Sequence, residues 1–148
     1  MKLDALFARH ERVGLDSNVL IYALEGGSRV SIVARAVLDR MAGPAASGVI
    51  ALIGVAEVLV GPAQTDDAAL VERYMDELLS LDGVEVVALN RSITVESAMI
   101  RGRRRHSLAD AMHLATARSA GASAFLTNDR AIRPTPGLDV IYLADLAA

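Results

Sequence analysis

Short apolar segments rich in β-branched residues alternate with amphipathic segments about five times along this chain. The predicted strands cover residues 12–15, 49–53, 84–89, 124–127 and 140–143. Helical connections of this kind join parallel strands and place helices on the faces of the sheet. The alternation therefore predicts an α/β fold with a mostly parallel, about five-stranded central sheet.

Capping residues and glycines mark where the intervening helices begin and end. Asn90 and Ser107 each precede a helical segment, as N-cap residues do. Residues 1–11 place apolar side chains at helical spacing and are compatible with a short helical lead-in. No repeat or linker divides the chain, so residues 1–148 are expected to form a single domain. The predicted helices cover residues 17–24, 28–41, 55–60, 66–81, 90–101 and 107–121.

Composition excludes several kinds of site. The chain has no cysteine, which rules out disulfides, thiolate metal sites and a cysteine nucleophile. A net charge of −3 argues against broad non-specific binding of nucleic acid and leaves a local basic patch open. The charged residues within 1–11 do not fit a signal peptide, and the apolar run 48–61 is too short to cross a bilayer. We therefore expect a cytoplasmic protein with no membrane partner.

Four acidic residues occupy positions where a parallel sheet gathers side chains. Asp16 and Asp129 closely follow predicted strands. Glu57 lies shortly after the second strand, and Asp110 lies at the beginning of a helix. Because the carboxyl ends of parallel strands share one edge of the sheet, these acids can converge in one pocket. Glu57 is also the only polar side chain within residues 48–61, and a carboxylate among apolar neighbours needs a partner.

Each acid also has a purely structural explanation. The tip of Glu57 can reach solvent at a helix edge, and Asp110 has the capping-box spacing from Ser107. Asp16 and Asp129 can each cap a helix or a turn. If all four converge, their repulsion is about 1 kcal/mol per close pair even in water, and a divalent cation offsets it. Oxygen ligands and the absence of cysteine favour Mg²⁺ or Mn²⁺, as one or two ions.

Short polar side chains flank the acids on two of the predicted strands. They can orient ligating carboxylates or a metal-bound water, or they can serve as ordinary turn and cap residues. His113 lies one turn after Asp110 on the same helix face, which admits a metal or proton-transfer role. Its apolar neighbours favour the alternative of a hydrogen-bonded structural histidine. The flanking residues are Ser17, Asn18, Thr127 and Asn128.

A cluster of arginines directly precedes the helix that begins near Asp110. A positive loop beside an acidic metal pocket can hold a phosphate backbone while the metal acts on one phosphate. The alternative is a solvated helix end whose cations favour the C-terminal dipole. Aromatic residues make up only 3% of the chain, so we expect contacts to backbone phosphates rather than base stacking. The predicted nucleic-acid-binding residues are Arg101, Arg103, Arg104 and Arg105.

Four segments in order carry a family resemblance: LDSNVLIY at 15–22, AEVLVG at 56–61, SLADAMHLATA at 107–117 and FLTND at 125–129. Together they resemble the PIN-domain ribonucleases, specifically the VapC-type toxins of bacterial and archaeal toxin–antitoxin pairs. The resemblance extends over about residues 13–143. Two positions depart from the family pattern. Ile53-Gly54 stands where a Ser or Thr is often found a turn before the glutamate, and Ile132 stands where an aromatic is common.

The resemblance implies a three-layer α/β/α sandwich with Mg²⁺ or Mn²⁺ held at Asp16, Glu57, Asp110 and Asp129. It also implies cleavage of single-stranded RNA, a homodimer, and inhibition by a small antitoxin. Such an antitoxin wraps the toxin and can place a basic side chain in the acidic pocket. These features enter here as expectations from the family.

Our hypothesis from the sequence is metal-assisted hydrolysis of an RNA phosphodiester bond by an endoribonuclease. Asp16 and Asp129 are the preferred metal ligands, while Glu57 and Asp110 complete the ligand set or orient the attacking water. One alternative is a metal-stabilised module that binds RNA or a protein without cleavage. Another is an aspartyl-phosphate phosphatase or receiver-like domain, which is disfavoured because the sole lysine, Lys2, is far from any strand end.

Overall fold

A single parallel sheet forms the centre of the computed structural model, which describes residues 2–103 and 105–147. Five strands in this part of the chain lie in the order β3-β2-β1-β4-β5, and every neighbouring pair is parallel. The order reverses between β1 and β4, where ligands bind in open sheets of this type. The strands are β1 Arg12–Leu15, β2 Ser47–Ala51, β3 Val84–Val87, β4 Ala124–Thr127 and β5 Asp139–Tyr142.

Helices cover both faces of this sheet and form two separate apolar cores with it. Helices α6 and α7 pack on one face with Val49 and Phe125, and the remaining helices pack on the other. The predicted α/β/α sandwich is therefore confirmed. No helix in the described residues is long and apolar enough to cross a membrane. The helices are α1 Lys2–Arg9, α2 Ser17–Glu25, α3 Arg29–Met41, α4 Leu52–Ala63, α5 Ala68–Leu79, α6 Arg91–Gly102, α7 Leu108–Ser119 and α8 Leu143–Ala147.

Side chains of the central strands alternate between the two cores. Val49 of β2 belongs to the α6–α7 core, whereas its neighbour Ile50 belongs to the opposite core. The sequence of a strand that is buried on both faces is a nearly continuous run of apolar residues, and the central strands have such sequences. On β1, a Cβ at Gly14 would lie 2.6 Å from the Cβ of Ala117. Glycine at this position therefore allows α7 to pack closely over the centre of the sheet.

The predicted N-caps Asn90 and Ser107 make the expected hydrogen bonds, and the structure shows a third N-cap at Ser28. The Ser28 hydroxyl accepts from the Ser31 amide at 3.1 Å, and the Asn90 side chain accepts from the Ile93 amide at 2.9 Å. The Ser107 hydroxyl accepts from the amide of Asp110 at 3.1 Å. These short polar side chains satisfy amide donors that the first turn of a helix leaves unpaired. Their caps determine where α3, α6 and α7 begin.

The boundary between β2 and α4 differs from the prediction. The strand predicted at 49–53 lies at 47–51, and α4 begins at Leu52. The run 48–61 is apolar almost throughout, so periodicity within it does not locate a boundary. Helix α4 also continues past Gly61, includes Pro62 in its last turn and ends one residue later at Ala63. Proline has no amide to donate to the preceding turn, in keeping with a helix end directly after it. The predicted strand 84–89 ends at Val87, and α8 had no sequence prediction.

The N-terminal helix α1 is anchored to the body of the fold. Leu6 and Phe7 are buried in the larger core. His10, directly after the helix, is buried, and its Nδ1 lies 2.8 Å from the hydroxyl of Ser123. The other ring nitrogen of His10 lies 3.4 Å from the carboxylate of Asp139. These contacts attach α1 to the beginnings of β4 and β5, at the edge of the sheet opposite Asp16.

Substitution of Phe7 by Ala tests whether α1 belongs to the folded unit. We expect a loss of about 3 kcal/mol of unfolding free energy, because the substitution removes a buried aromatic side chain and leaves a cavity. Thermal unfolding followed by circular dichroism should show a midpoint lower by roughly 10 °C. The exposed Arg9, substituted by Ala, is the matched control and should unfold as the wild type does. An unchanged midpoint for the Phe7 variant would show that α1 is not part of the cooperative unit.

Candidate active site

The carboxylate of Asp16 lies between the ends of β1 and β4. Its backbone amide donates to the carbonyl of Leu126 at 2.9 Å, and its side chain caps α2. One carboxylate oxygen accepts from the Ser17 amide at 2.8 Å. The other accepts from the Thr127 hydroxyl at 2.7 Å and from the Asn18 side chain at 3.2 Å. Asp16 is only 6% exposed, so these bonds replace the water that a buried carboxylate loses.

The hydroxyl of Thr127 connects two of the candidate acids. It donates to Asp16 and accepts from the backbone amide of Asp129 at 3.0 Å. The side-chain oxygen of Asn18 accepts from the Asn128 amide at 3.2 Å, which joins α2 to the end of β4. Three of the four predicted supporting residues, Ser17, Asn18 and Thr127, therefore contact Asp16 directly.

Asn128 has a different role from the other flanking residues. Its side-chain oxygen accepts from the Ala144 amide at 3.1 Å, and its nitrogen lies 3.4 Å from the Tyr22 hydroxyl. The side chain thus connects the loop after β4 to α2 and α8. Its effect on the acids is indirect, through the position of the loop that carries Asp129.

Glu57 and His113 form an ion pair beside Asp16. The Glu57 Oε1 atom lies 2.5 Å from the His113 Nε2 atom, which is itself 3.8 Å from Asp16 Oδ1. The side chain of Glu57 is 41% exposed, whereas that of His113 is buried. The hydrogen bond from His113 lowers the pKa of Glu57, and partial burial opposes this effect. Glu57 is therefore neither isolated nor simply solvated at a helix edge, as one alternative had it.

The protonation of His113 reflects two opposing influences. Burial lowers the pKa of His113, whereas the hydrogen bond to Glu57 and the charges of Asp16, Glu57 and Asp110 raise it. The second effect is the larger, so the pKa of His113 lies above its ordinary value. The Nδ1 atom is buried and has no hydrogen-bond partner among the described residues. The histidine is buried and hydrogen-bonded, as the structural interpretation expected, but its partner is a candidate active-site acid. The helical spacing indicated that His113 shares a face with Asp110, but it gave no indication of Glu57 as the partner.

Gly54 makes room for the His113 ring. A Cβ at this position would lie 2.7 Å from the His113 Cε1 atom, closer than side chains pack. Gly54 belongs to the first turn of α4, and Glu57 lies one turn later on the same helix. The departure from the family pattern at Ile53-Gly54 therefore coincides with a close contact between α4 and α7. The second departure, Ile132, is fully buried in the α6–α7 core.

Asp110 combines a capping position with proximity to the other acids. It lies in the first turn of α7, where its amide is capped by Ser107. Burial raises the pKa of the Asp110 carboxyl, the hydrogen bond with Ser107 lowers it, and the charges of Asp16 and Asp129 raise it again. The net direction is upward. The structural explanation and the functional one therefore both apply to this residue.

Asp129 lies in the exposed loop after β4. Its Oδ1 atom accepts from the backbone amide of Ala131 at 2.9 Å, which holds the carboxylate in a tight turn. Its charge acts on Asp110, so the two carboxyl groups face the same region. The four acids predicted from the sequence thus lie at one edge of the sheet, with Asp129 the most accessible of them.

The donor atoms suit a divalent cation. One ligand atom each from Asp16, Glu57 and His113 lie within 4.8 Å of one another. Asp110 and Asp129 add carboxylate oxygens at the same edge, and hard cations such as Mg²⁺ and Mn²⁺ prefer oxygen ligands. The imidazole of His113 was not among the predicted ligands. The residues present therefore fit the implied metal.

The predicted RNA-binding arginines lie at the junction of α6 and α7. Arg101 is in the last turn of α6, and Arg103 and Arg105 are in the connection that follows; all three are exposed. Arg104 lies outside the described residues. This connection ends at Ser107, which caps the helix carrying Asp110.

The α/β/α sandwich and the acidic edge of its sheet define a class of domain in which carboxylates gather at the C-terminal ends of parallel strands. The model of the PIN domain family matches residues 13–138, and the chain belongs to this family. The predicted resemblance to PIN domains is thereby confirmed. A search of curated proteins finds no match.

Several solved structures of toxin–antitoxin complexes contain a similar chain. A toxin–antitoxin complex from Klebsiella pneumoniae is 25% identical, with a TM-score of 0.62, over 85% of this chain and 94% of that one. VapBC2 from Rickettsia felis, bound to a DNA fragment from its promoter, is 18% identical with a TM-score of 0.68, over 88% and 98%. DNA-bound VapBC from Salmonella typhimurium is 18% identical with a TM-score of 0.61, over 89% and 98%.

Substitution of Asp110 by Asn tests the crowding of charge at this edge. In EDTA we expect the thermal midpoint to rise by about 2 °C, because the substitution removes a carboxylate that burial and the charges of Asp16 and Asp129 disfavour. The exposed Asp76 of α5, substituted by Asn, controls for the loss of one negative charge. Manganese should stabilise the wild type and the control more than the Asp110 variant. A lower midpoint for that variant in EDTA would contradict the predicted repulsion.

Proposed function

We propose that this protein is the toxin of a type II toxin–antitoxin pair and that it cleaves single-stranded RNA with the aid of Mg²⁺ or Mn²⁺. The observation that carries the proposal is the convergence of Asp16, Glu57 and His113, with Asp110 and Asp129 within electrostatic reach. Membership of the PIN family and similarity to chains from toxin–antitoxin complexes support it. The reaction class is hydrolysis of a phosphodiester bond.

The acids would hold the cation as one or two ions, with Asp16 and Asp129 as its principal ligands. A bound ion of this kind lowers the pKa of water and neutralises charge that develops on a phosphate. Asp16 is suited to ligation because four hydrogen bonds from its neighbours hold its carboxylate in one orientation. Asp129 is accessible from solvent, so substrate can reach this side of the site.

Glu57 and Asp110 would complete the ligand set or orient the attacking water. The hydrogen bond from His113 lowers the pKa of Glu57, so this carboxylate is ionised at neutral pH and can accept a hydrogen bond from water. The pKa of Asp110 is raised, so a neighbouring cation would favour its ionised form. His113 would keep Glu57 directed toward Asp16 through the contact between α4 and α7.

The two alternatives differ from this proposal in what they require. A phosphoaspartyl enzyme would use a lysine at the phosphoryl group, but the Lys2 ammonium donates to the carbonyl of Asp145 in α8. A binding module without cleavage would need the same acids and the same basic surface. Only an assay of cleavage separates that alternative from a nuclease.

Substitution of Asp16 by Asn tests the proposed chemistry. We expect cleavage of single-stranded RNA in MnCl₂ or MgCl₂ to fall at least about 100-fold, because one ligand charge is lost while the hydrogen bonds of the cap can be kept. Product is measured by gel electrophoresis of labelled RNA, with EDTA as the metal-free reference. Asp76, substituted by Asn, is the matched control and should cleave as the wild type does.

Two outcomes would overturn the proposal in different ways. Full cleavage by the Asp16 variant would show that the chemistry lies elsewhere. Binding of RNA and manganese by the wild type, with no cleavage of any RNA supplied, would favour the binding module.

An apolar groove on the protein surface is the proposed binding site of the antitoxin. A cavity of about 410 Å³ between α2, α3 and α5 adjoins one of about 490 Å³ between α2, α4 and α5, and both are lined by Leu24 and Tyr74. The second cavity ends at Glu57. We propose that an apolar segment of the antitoxin lies in this groove and places a basic side chain at Glu57.

The homodimer implied by the resemblance stays a prediction, which light scattering of the purified protein tests.

Substitution of Leu24 by Glu tests the groove. Leu24 is 48% exposed, and a charge there should raise the Kd for the antitoxin at least tenfold while cleavage by the free protein stays unchanged. The antitoxin is the small protein encoded by an adjoining reading frame, and calorimetry measures its binding. Leu79, 50% exposed and outside both cavities, is the matched control when substituted by Glu. Equal losses in both variants would place the antitoxin elsewhere.

A further inference from the structure

Two clefts lie on either side of Arg105. The first has a volume of about 320 Å³ and the second about 720 Å³, and Arg105 and Pro134 line both. One wall is the connection between α6 and α7, and the other is the loop between β4 and β5. We call the two clefts together the arginine channel. Its lining residues are Ile100, Arg103, Arg105, His106, Ala131, Arg133, Pro134, Thr135 and Pro136.

One wall of the arginine channel carries Asp129, and the other ends at the helix that carries Asp110. Ala131 lines the second cleft, and its amide donates to the carboxylate of Asp129 at 2.9 Å. The connection on the other wall ends at Ser107, which caps Asp110. Both walls of the channel are therefore connected by hydrogen bonds to residues of the acidic site.

The charge of the arginine channel is opposite to that of the protein as a whole. Three arginines, Arg103, Arg105 and Arg133, line it and are exposed, and none of its described lining residues is acidic. The whole chain has a net charge of −3. A local cluster of guanidinium groups in an acidic protein is suited to phosphate, which each group can bind through two hydrogen bonds.

A buried histidine holds the two walls together. The side chain of His106 is only 6% exposed, and its Nε2 atom accepts a hydrogen bond from the Arg133 amide at 3.0 Å. This bond joins the loop that carries Arg133 to the connection that carries Arg103 and Arg105. His106 thus fixes the spacing of the arginines without needing to touch a ligand.

Thr135 lines the first cleft, and its hydroxyl has no partner. The Oγ1 atom is buried from solvent and makes no hydrogen bond with any described residue. Buried polar atoms are almost always paired, so this hydroxyl gains a partner if the wall of the cleft moves to admit a ligand or a bound water. A hydroxyl both donates and accepts, which matches a ribose 2′-hydroxyl as well as a phosphate oxygen.

We propose that the arginine channel binds the ribose-phosphate backbone of single-stranded RNA next to the bond that is cut. Arg103, Arg105 and Arg133 contact phosphates, and Thr135 bonds the backbone between them. Apart from His106, none of the described residues that line the channel is aromatic, so the channel does not stack bases and accepts RNA of varied sequence. This inference rests on the proposed function. It adds Arg133, Thr135 and the positioning residue His106 to the predicted cluster.

Salt-dependent binding tests the channel separately from cleavage. Labelled single-stranded RNA is titrated with metal-free wild-type protein over a series of KCl concentrations, and each lost phosphate contact should reduce the slope of log K against log salt by about 0.7. We expect this reduction, with a Kd at least fivefold higher, for Arg105→Ala and for Arg133→Ala. Arg73→Ala on the exposed surface of α5 is the matched control and should leave the slope unchanged.

Kinetics and the His106 variants test positioning. In MnCl₂, Arg133→Ala should raise KM with little change in kcat, since it removes binding made equally in the ground and transition states. His106→Leu should raise KM in the same way, and His106→Gln, which keeps an acceptor for the Arg133 amide, should restore it in part. Equal KM values for the two His106 variants would overturn the positioning role.

Failure of the channel and failure of the proposed function are distinguishable. Cleavage by the wild type, with unchanged slopes and KM for Arg105→Ala and Arg133→Ala, overturns the channel alone. Reduced slopes in those variants without any cleavage by the wild type support the channel and overturn the nuclease. Single-stranded DNA of the same length bound as tightly as RNA, with Thr135→Val unchanged for both, overturns the assignment to RNA.

Discussion

A buried carboxylate at the end of the central strand governs the chemistry of this fold. Asp16 is placed by the pairing of β1 with β4, and it must be satisfied there because a carboxylate without partners is costly in a protein interior. The amide of Ser17 and the side chains of Asn18 and Thr127 satisfy it. This one requirement accounts for three of the four short polar residues that flank the acids, and Asn128 instead holds the loop after β4. The loop after β4, and with it Asp129, is held in place by the same hydroxyl of Thr127.

The fold places three further carboxylates near Asp16, and the basic side chains around them do not neutralise all of this negative charge. His113 is the basic side chain that contacts the acids, and it pairs with Glu57. The charges of Asp16 and Asp129 raise the pKa of Asp110, which means that the folded protein disfavours ionisation at that position. Electrostatic strain of this kind is common at functional sites and is relieved by a ligand of opposite charge. A cation bound as proposed would therefore stabilise the folded protein.

Features determined by local chemistry were predictable from the sequence, and features determined by tertiary contacts were not. The end of β1 at Asp16 and the caps at Asn90 and Ser107 each depend on a few neighbouring residues, and the structure matches them. The boundary between β2 and α4 lies inside an apolar run with no local signal. The partner of His113 could not be predicted, because Glu57 is 56 residues away and the contact depends on Gly54. The arginine channel could not be predicted either, because one of its walls is the loop between β4 and β5, whose sequence shows no regular pattern. The contact between the walls depends on the hydrogen bond of the Arg133 amide to His106.

The groove and the arginine channel reach the site at different carboxylates. The groove ends at Glu57, whereas the channel adjoins Asp129 through Ala131 and Asp110 through Ser107. An apolar partner in the groove would therefore act on Glu57 and its pair with His113. The same partner would leave the arginine channel uncovered, so RNA could still bind there. The lining residues of the two surfaces do not overlap. A partner that places a cation at Glu57 would compete with the metal rather than with the RNA backbone, so inhibition would depend more on metal concentration than on RNA concentration.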